Sequence, residues 1–266
     1  MKYAPAKKRF GQHFLEPAWV DKLVKALSPA SSDTFLEIGP GRGALTRPLA
    51  RRVSRVVAVE IDRGLAAALP TALGADNVVV VCDDFLQVDI DHILGTALRP
   101  VRVVGNLPYN LSTPILFRLI ALAGDGAVFS DATLMLQREV ADRLVATPGS
   151  SDYGALAVQV ALVADVERLL VLPPGAFRPP PAVRSAVVRL RFRPPAFDIG
   201  DRKVFETVTR GVFLQRRKML GNALEPVAHG LGDTAAGMLQ RAGIDPQRRP
   251  QTLTLAEMVS LARAVL

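Results

Sequence analysis

The 266-residue sequence predicts an α/β protein, a doubly wound, Rossmann-like sheet with a small all-α domain at its C-terminal end. Three observations carry this reading. Short apolar runs alternate with segments of helical spacing from Phe35 to Leu136, an order that favours parallel strands joined by right-handed crossovers. The first of those runs ends in a glycine-rich turn that opens a helix, and an acidic residue closes the next run about twenty residues on. Beyond Arg193-Pro194-Pro195, the stretch Arg202 to Leu266 keeps helical periodicity, interrupted at Pro226, Gly230, Gly243 and Pro246, without a convincing strand.

Taken in order, basic Lys7-Lys8-Arg9 leads into Phe10-Gly11-Gln12-His13-Phe14-Leu15, and Trp19 to Leu27 reads as an amphipathic helix. Phe35–Ile38 is a strand, Arg42–Arg52 a helix, Val56–Glu60 a strand and Arg63–Leu73 a helix. Strands follow at Val78–Cys82, Val101–Gly105 and Ala132–Leu136, with a helix over Thr113–Ala123 capped by Ser112 or Thr113 and tolerating Pro114 in its first turn. Helices at Glu139–Ala146 and Ala155–Leu162 precede strand-like runs at Val166–Leu172 and Ser185–Phe192, which flank Arg178-Pro179-Pro180-Pro181. The proline pair after Arg193 marks the expected boundary between a domain over residues 1–195 and one over 196–266.

Composition bounds the partners. Hydrophobic residues make up 49% of the chain, enough for one large core and a smaller one. A formal charge of +8 points to a polyanionic partner, although charge alone does not identify nucleic acid. The single Cys82 cannot form an internal disulfide and reads as a small buried thiol. The start lacks an apolar signal core and no run reaches membrane-spanning length, so the expectation is a cytoplasmic protein with no membrane partner.

Ligands on such sheets lie beyond the carboxyl ends of the strands, and it is there that polar residues collect. Gly39 and Gly41, with Ala44 after them, let the backbone approach a ligand, a pattern shared by nicotinamide-dinucleotide and S-adenosylmethionine sites. Glu60 closes the second strand, where a carboxylate can accept from both ribose hydroxyls; a solvated strand-end charge is the plainer alternative. Asp84 can accept from an adenine amine with Phe85 packed on the ring. Asp83 could do the same, and either could simply cap a helix. Asn106-Leu107-Pro108-Tyr109 follows the fourth strand with an amide acceptor, a rigid turn and an aromatic plate, a slot suited to a flipped nucleobase. Phe177, flanked by prolines, is a second candidate plate or else a core aromatic that anchors its loop. Arg216-Arg217-Lys218, with Arg210 nearby, reads as phosphate-contacting rather than a merely solvated face.

These residues resemble the ribosomal RNA adenine dimethyltransferases that act on small-subunit RNA with S-adenosylmethionine. The resemblance runs through Phe10 to Leu15, Glu37-Ile38-Gly39-Pro40-Gly41, Glu60-Ile61-Asp62, Asp84, Asn106-Leu107-Pro108-Tyr109-Asn110 and Leu136-Gln137-Arg138-Glu139-Val140-Ala141. It continues through Tyr153-Gly154, Phe177 to Ser185 and Phe213-Leu214-Gln215-Arg216-Arg217-Lys218, and more loosely through Arg249 to Leu253. It implies that His13 and Leu15 touch the cofactor, Gly39 lies under its methionine part, Glu60 with Ile61 holds the ribose and Asp84 with Phe85 the adenine. Asn106 then borders cofactor and target, and the family often has Asn where this chain has His13.

By that resemblance, Asn106 Oδ1 and the Leu107 or Pro108 carbonyl accept the hydrogens of the target adenine N6. The base is stacked by Tyr109 and Phe177, while Lys7, Lys8, Arg9, Arg216, Arg217 and Lys218 hold RNA. S-adenosylhomocysteine is the by-product, and no metal and no histidine base is expected of His13, His92 or His229. The implied substrate is a pair of neighbouring adenosines in small-subunit RNA, within an assembling subunit and acted on by a monomer. The rival readings are a large-subunit RNA methyltransferase conferring antibiotic resistance, an assembly factor whose main role is binding, and a nicotinamide oxidoreductase. The last has no obvious use for the Asn106–Tyr109 cluster.

Overall fold

A computed structural model describes residues 12–97, 99–124 and 128–265. Lys7, Lys8 and Arg9 lie outside the described residues. Two compact units emerge, residues 1–141 with 167–192, and residues 142–166 with 193–266. A single cut at residue 195 therefore does not describe the grouping. Residues 142–166 join the C-terminal helices because the helix within them, Ala155–Val163, packs on two of those helices.

In chain order, β1 (Phe14–Leu15) leads to α1 (Pro17–Leu27), β2 (Thr34–Ile38), α2 (Thr46–Ala50), β3 (Arg55–Val59), α3 (Arg63–Leu73) and β4 (Val78–Val81). Next come α4 (Ile90–Leu94), β5 (Val101–Asn106), α5 (Ser112–Gly124), β6 (Phe129–Gln137), α6 (Arg138–Leu144), α7 (Ala155–Val163) and β7 (Ala164–Leu172). The chain closes with β8 (Phe177–Arg178), β9 (Ser185–Phe192), α8 (Arg202–Leu214), α9 (Leu220–Gly230), α10 (Ala235–Ala242) and α11 (Leu255–Arg263).

The main sheet has the order β4-β3-β2-β5-β6-β9-β7. Its first five strands pair in parallel, and β9 joins β6 antiparallel. Every residue of β2 is buried, as expected of a central strand covered on both faces, so even Glu37 is carried into the interior. At the edge, β4 is only partly covered, and Cys82 just beyond it is exposed, which corrects the expectation of a buried thiol. The apolar run at Val78–Val81 misled because an edge strand has one open flank. At the opposite end of the strands from the glycine turn, Arg102 on β5 pairs with Asp33 and Asp131, each at 2.9 Å, and donates to the Leu27 carbonyl that ends α1.

A second, two-stranded sheet was not legible in the sequence. β1 and β8 pair antiparallel, Phe14 with Arg178 and Leu15 with Phe177. The pairing is reinforced by the Glu16 N–H on the Ala176 carbonyl at 2.9 Å and by a Glu16–Arg178 ion pair at 3.2 Å.

In the C-terminal unit, α8 buries Phe205, Val208, Thr209 and Val212 and packs on α9, while Thr254 and Glu257 form a reciprocal capping box at the start of α11. Arg248 binds Glu257 through both carboxylate oxygens and holds its pKa at about 2.

Candidate active site

The strand ends do converge. A cleft enclosing about 1020 Å³, its open mouth included, is lined by Gln12 to Leu15, Glu37 to Gly41, Glu60, Ile61, Asp83 to Phe85 and Asn106 to Tyr109. All of these lie in the first unit.

The turn after β2 is built for close approach. Gly39 and Gly41 have φ of +68° and +57°, in the left-handed region that a side chain disfavours. A Cβ at Gly39 would meet nothing within 4 Å, so the missing side chain leaves open space, whereas one at Gly41 would press on Phe14 at 3.1 Å. Glu60 is 4% exposed and accepts the Gly41 N–H on one oxygen and the Asp62 N–H on the other, both at 2.9 Å. Burial raises its pKa, and those two backbone donors oppose the rise. Each oxygen keeps a lone pair for a further donor, such as a ribose hydroxyl. Beside it Ile61 is 43% exposed, an open apolar surface in the cleft wall. Asp84 is partly buried and accepts the Leu86 N–H at 2.9 Å, which closes a turn rather than capping a helix, since the next helix begins only at Ile90, and Phe85 is buried next to it.

Asn106, the last residue of β5, donates from Nδ2 to the His13 carbonyl at 2.7 Å. That bond assigns the amide and frees Oδ1 as the acceptor. His13 is held in turn: its Nδ1 lies 2.8 Å from the Pro179 carbonyl, and its ring stacks on Tyr109 with centroids 5.7 Å apart and planes at 23°. The Tyr109 hydroxyl shares a hydrogen bond of 2.6 Å with Ser185 Oγ, and burial pushes the phenol pKa up, so it stays neutral. The Pro108 carbonyl accepts the Leu111 N–H at 3.0 Å, closing the turn into α5.

Phe177 is not part of the cleft. It is 0% exposed and packed in a core with Leu15, Val20, Leu27 and Phe35, so it offers no face to a base. Its partner across the β1–β8 pairing is Leu15, which is buried in the same core. Of the basic run, Arg216 donates to the Ser151 carbonyl at 2.9 Å, while Arg217 and Lys218 are exposed.

Sequence reasoning missed Glu37. It is 2% exposed in the cleft wall, its Oε2 has no hydrogen-bond partner, and its pKa is raised to about 7. Burial is the main cause, Thr46 opposes it, and the charge of Glu60 adds to it. Thr46 Oγ1 itself completes no hydrogen bond of ordinary geometry, so its opposition is one of proximity. The available signal was an acidic residue inside the apolar run Phe35-Leu36-Glu37-Ile38 of a strand flanked by helices. An open cleft with a glycine cradle, a ribose-type carboxylate, an apolar plate and an orphaned buried carboxyl fits a nucleoside that carries a cationic amino-acid tail. Among the described residues, no three His, Cys, Asp or Glu side chains are grouped to hold a metal ion, and no helix is long and apolar enough to cross a membrane.

Comparison with known proteins bears on this geometry. A family model described as ribosomal RNA adenine dimethylase matches residues 4–265. A Xanthomonas oryzae pv. oryzae protein named ribosomal RNA small subunit methyltransferase A is 44% identical over 263 residues, 97% of this chain and 96% of that protein. The crystal structure of a dimethyladenosine transferase from Plasmodium falciparum superposes with a TM-score of 0.76 at 25% identity, covering 94% of this chain and 96% of that one. The 23S rRNA methyltransferase ErmE shares the fold, with a TM-score of 0.63 at 24% identity over 95% of this chain and 99% of its own.

Proposed function

Because the chain belongs to the ribosomal RNA adenine dimethylase family, we propose that it dimethylates the N6 amines of two adjacent adenosines in small-subunit ribosomal RNA. S-adenosylmethionine is the donor and S-adenosylhomocysteine the product. The observation that carries the reading is the fixed amide of Asn106, whose Oδ1 borders the cleft beside the aromatic face of Tyr109. The identity to a small-subunit methyltransferase over almost its whole length favours that substrate over the large-subunit RNA, which the shared fold alone would not separate.

When bound, S-adenosylmethionine supplies an electrophilic methyl group. Glu60 would hold its ribose, Asp84 with Phe85 and Ile61 its adenine, and the Gly39 backbone its methionine part. Glu37 Oε2 is the carboxyl available to the ammonium, whose approach would favour the ionised form. The residues toward the target do different work. An adenine amine is a poor nucleophile because its lone pair is delocalised into the ring. Asn106 Oδ1 and the Leu107 carbonyl accept its two hydrogens, which lets the nitrogen become more tetrahedral and directs the lone pair toward the donor side of the cleft. The Pro108 carbonyl is the weaker candidate, since the Leu111 N–H already engages it.

Tyr109 stacks the extracted base. Extraction costs a few kcal/mol and one aromatic contact returns about 1–3 kcal/mol, so a single plate roughly offsets it. The methylated amine is acidic and loses its proton to solvent or a neighbouring acceptor, without a histidine base. In this reading the protein acts as a monomer on assembling small subunits in the cytoplasm.

The deciding experiment incubates the protein with labelled S-adenosylmethionine and unmethylated small subunits, then maps modified nucleosides. Label in N6,N6-dimethyladenosine at two neighbouring positions is expected. Tight binding without transfer would replace this reading with that of an assembly factor.

A further inference from the structure

The two most exposed large apolar side chains among the described residues, Leu214 at 86% and Met219 at 54%, stand on either side of one turn. Isolated exposed apolar residues need no explanation. Here the pair brackets three consecutive cations, Arg216-Arg217-Lys218. Helix packing does not account for either residue. The buried stripe of α8 runs through Phe205, Val208, Thr209 and Val212 and leaves out Leu214, while Met219 is the N-cap of α9, whose buried face begins at Leu220.

The turn itself is fixed. The Lys218 N–H bonds the Gln215 carbonyl at 2.8 Å, the Gln215 N–H bonds Val212 at 3.3 Å, and Arg216 is drawn back onto Ser151. Arg217 and Lys218 are left as its outward cations, with an apolar shoulder at each end.

We infer that this turn is an RNA-docking wedge: Leu214 and Met219 pack on riboses and base edges in the shallow groove of an RNA helix, and Arg217 and Lys218 hold the flanking phosphates. The inference rests on the ribosomal RNA reading above and adds a salt-independent, apolar part to it. Charge selects the occupant, because closely spaced cations match a phosphate backbone. Shape agrees, since A-form RNA has a wide, shallow minor groove of hydroxyls and base edges, and Leu and Met are among the side chains that nucleic-acid-binding proteins use as apolar wedges.

The test titrates full-length protein with in vitro transcribed small-subunit RNA across a salt series of roughly 50 to 200 mM, the range over which phosphate contacts weaken markedly. The double variant Leu214→Ser, Met219→Ser is expected to bind about ten-fold more weakly at every salt concentration, about 1.4 kcal/mol, with an unchanged slope and an unchanged unfolding curve. Arg217→Ala with Lys218→Ala should instead make the slope shallower by about two, one for each lost phosphate contact.

Affinity of the apolar variant within two-fold of the parent at every salt would overturn the wedge. So would a loss seen only on assembled subunits and not on bare RNA, which would assign the patch to a ribosomal protein. A lowered unfolding midpoint would return both side chains to a packing role. If the unmutated protein neither prefers this RNA to an unrelated one of equal length nor methylates unmethylated small subunits, the function itself fails, a result read without any variant.

Discussion

The Asn106 side chain donates to the backbone carbonyl of His13 at 2.7 Å, so the acceptor end of a side chain on β5 is aimed by a peptide group rather than by another side chain. Asn106→Ala is expected to lower methyl transfer by at least about 10²-fold, the scale for losing one preorganised polar contact to a transition state, with RNA affinity within a few-fold. His13→Ala keeps the carbonyl and loses only the ring contacts to Pro179 and Tyr109, so a smaller loss, under ten-fold, is expected. Single-turnover rates of the two variants check this, and equal losses would mean that the imidazole, not the peptide, sets the amide.

Phe177 fills a core. Phe177→Ala should cost about 3–5 kcal/mol of stability, and Phe177→Leu under about 1.5 kcal/mol. Denaturant unfolding measures both. The ratio of mono- to dimethylated adenosine should stay at the parent value in Phe177→Leu, and a changed ratio at unchanged stability would bring the ring back to the base.

Glu37 makes stability depend on pH. Its folded-state pKa, about 7, lies above the ordinary 4.5, so the native state holds a proton that the unfolded chain releases between those values. The contribution is complete below 4.5 and is lost as pH rises toward 7, by about 3 kcal/mol in order of magnitude. Glu37→Gln should flatten stability over that window and leave the variant more stable than the parent at pH 8. Thermal unfolding across pH 4.5 to 8 shows it, and parallel curves for the two proteins would mean the carboxyl ionises freely.

The sequence was most informative at the carboxyl ends of the parallel strands, where Gly39, Glu60, Asp84 and Asn106 each interrupt an apolar run. A residue that breaks a period is visible without coordinates. Phe177 was ambiguous because prolines stiffen a loop whichever way its ring points. β1 and β8 are two residues each, too short to show any alternation. Arg216 looked equivalent to its neighbours until its guanidinium was found on Ser151, and Cys82 ended a run whose edge position no local pattern reveals. What was lost in each case was a long-range pairing, information that single-residue chemistry does not hold.

The β1–β8 pairing also orders events during synthesis. His13 and Pro179 are 166 positions apart, so the peptide group that aims Asn106 reaches its final support only after Pro179 has left the ribosome. Contacts this distant in sequence form late, because a long loop must close first. A nascent chain that has already completed β2 to β6 would carry the glycine turn, Glu60 and Asn106 while β1 still lacked its strand partner β8, which exists only once about two-thirds of the chain has been made.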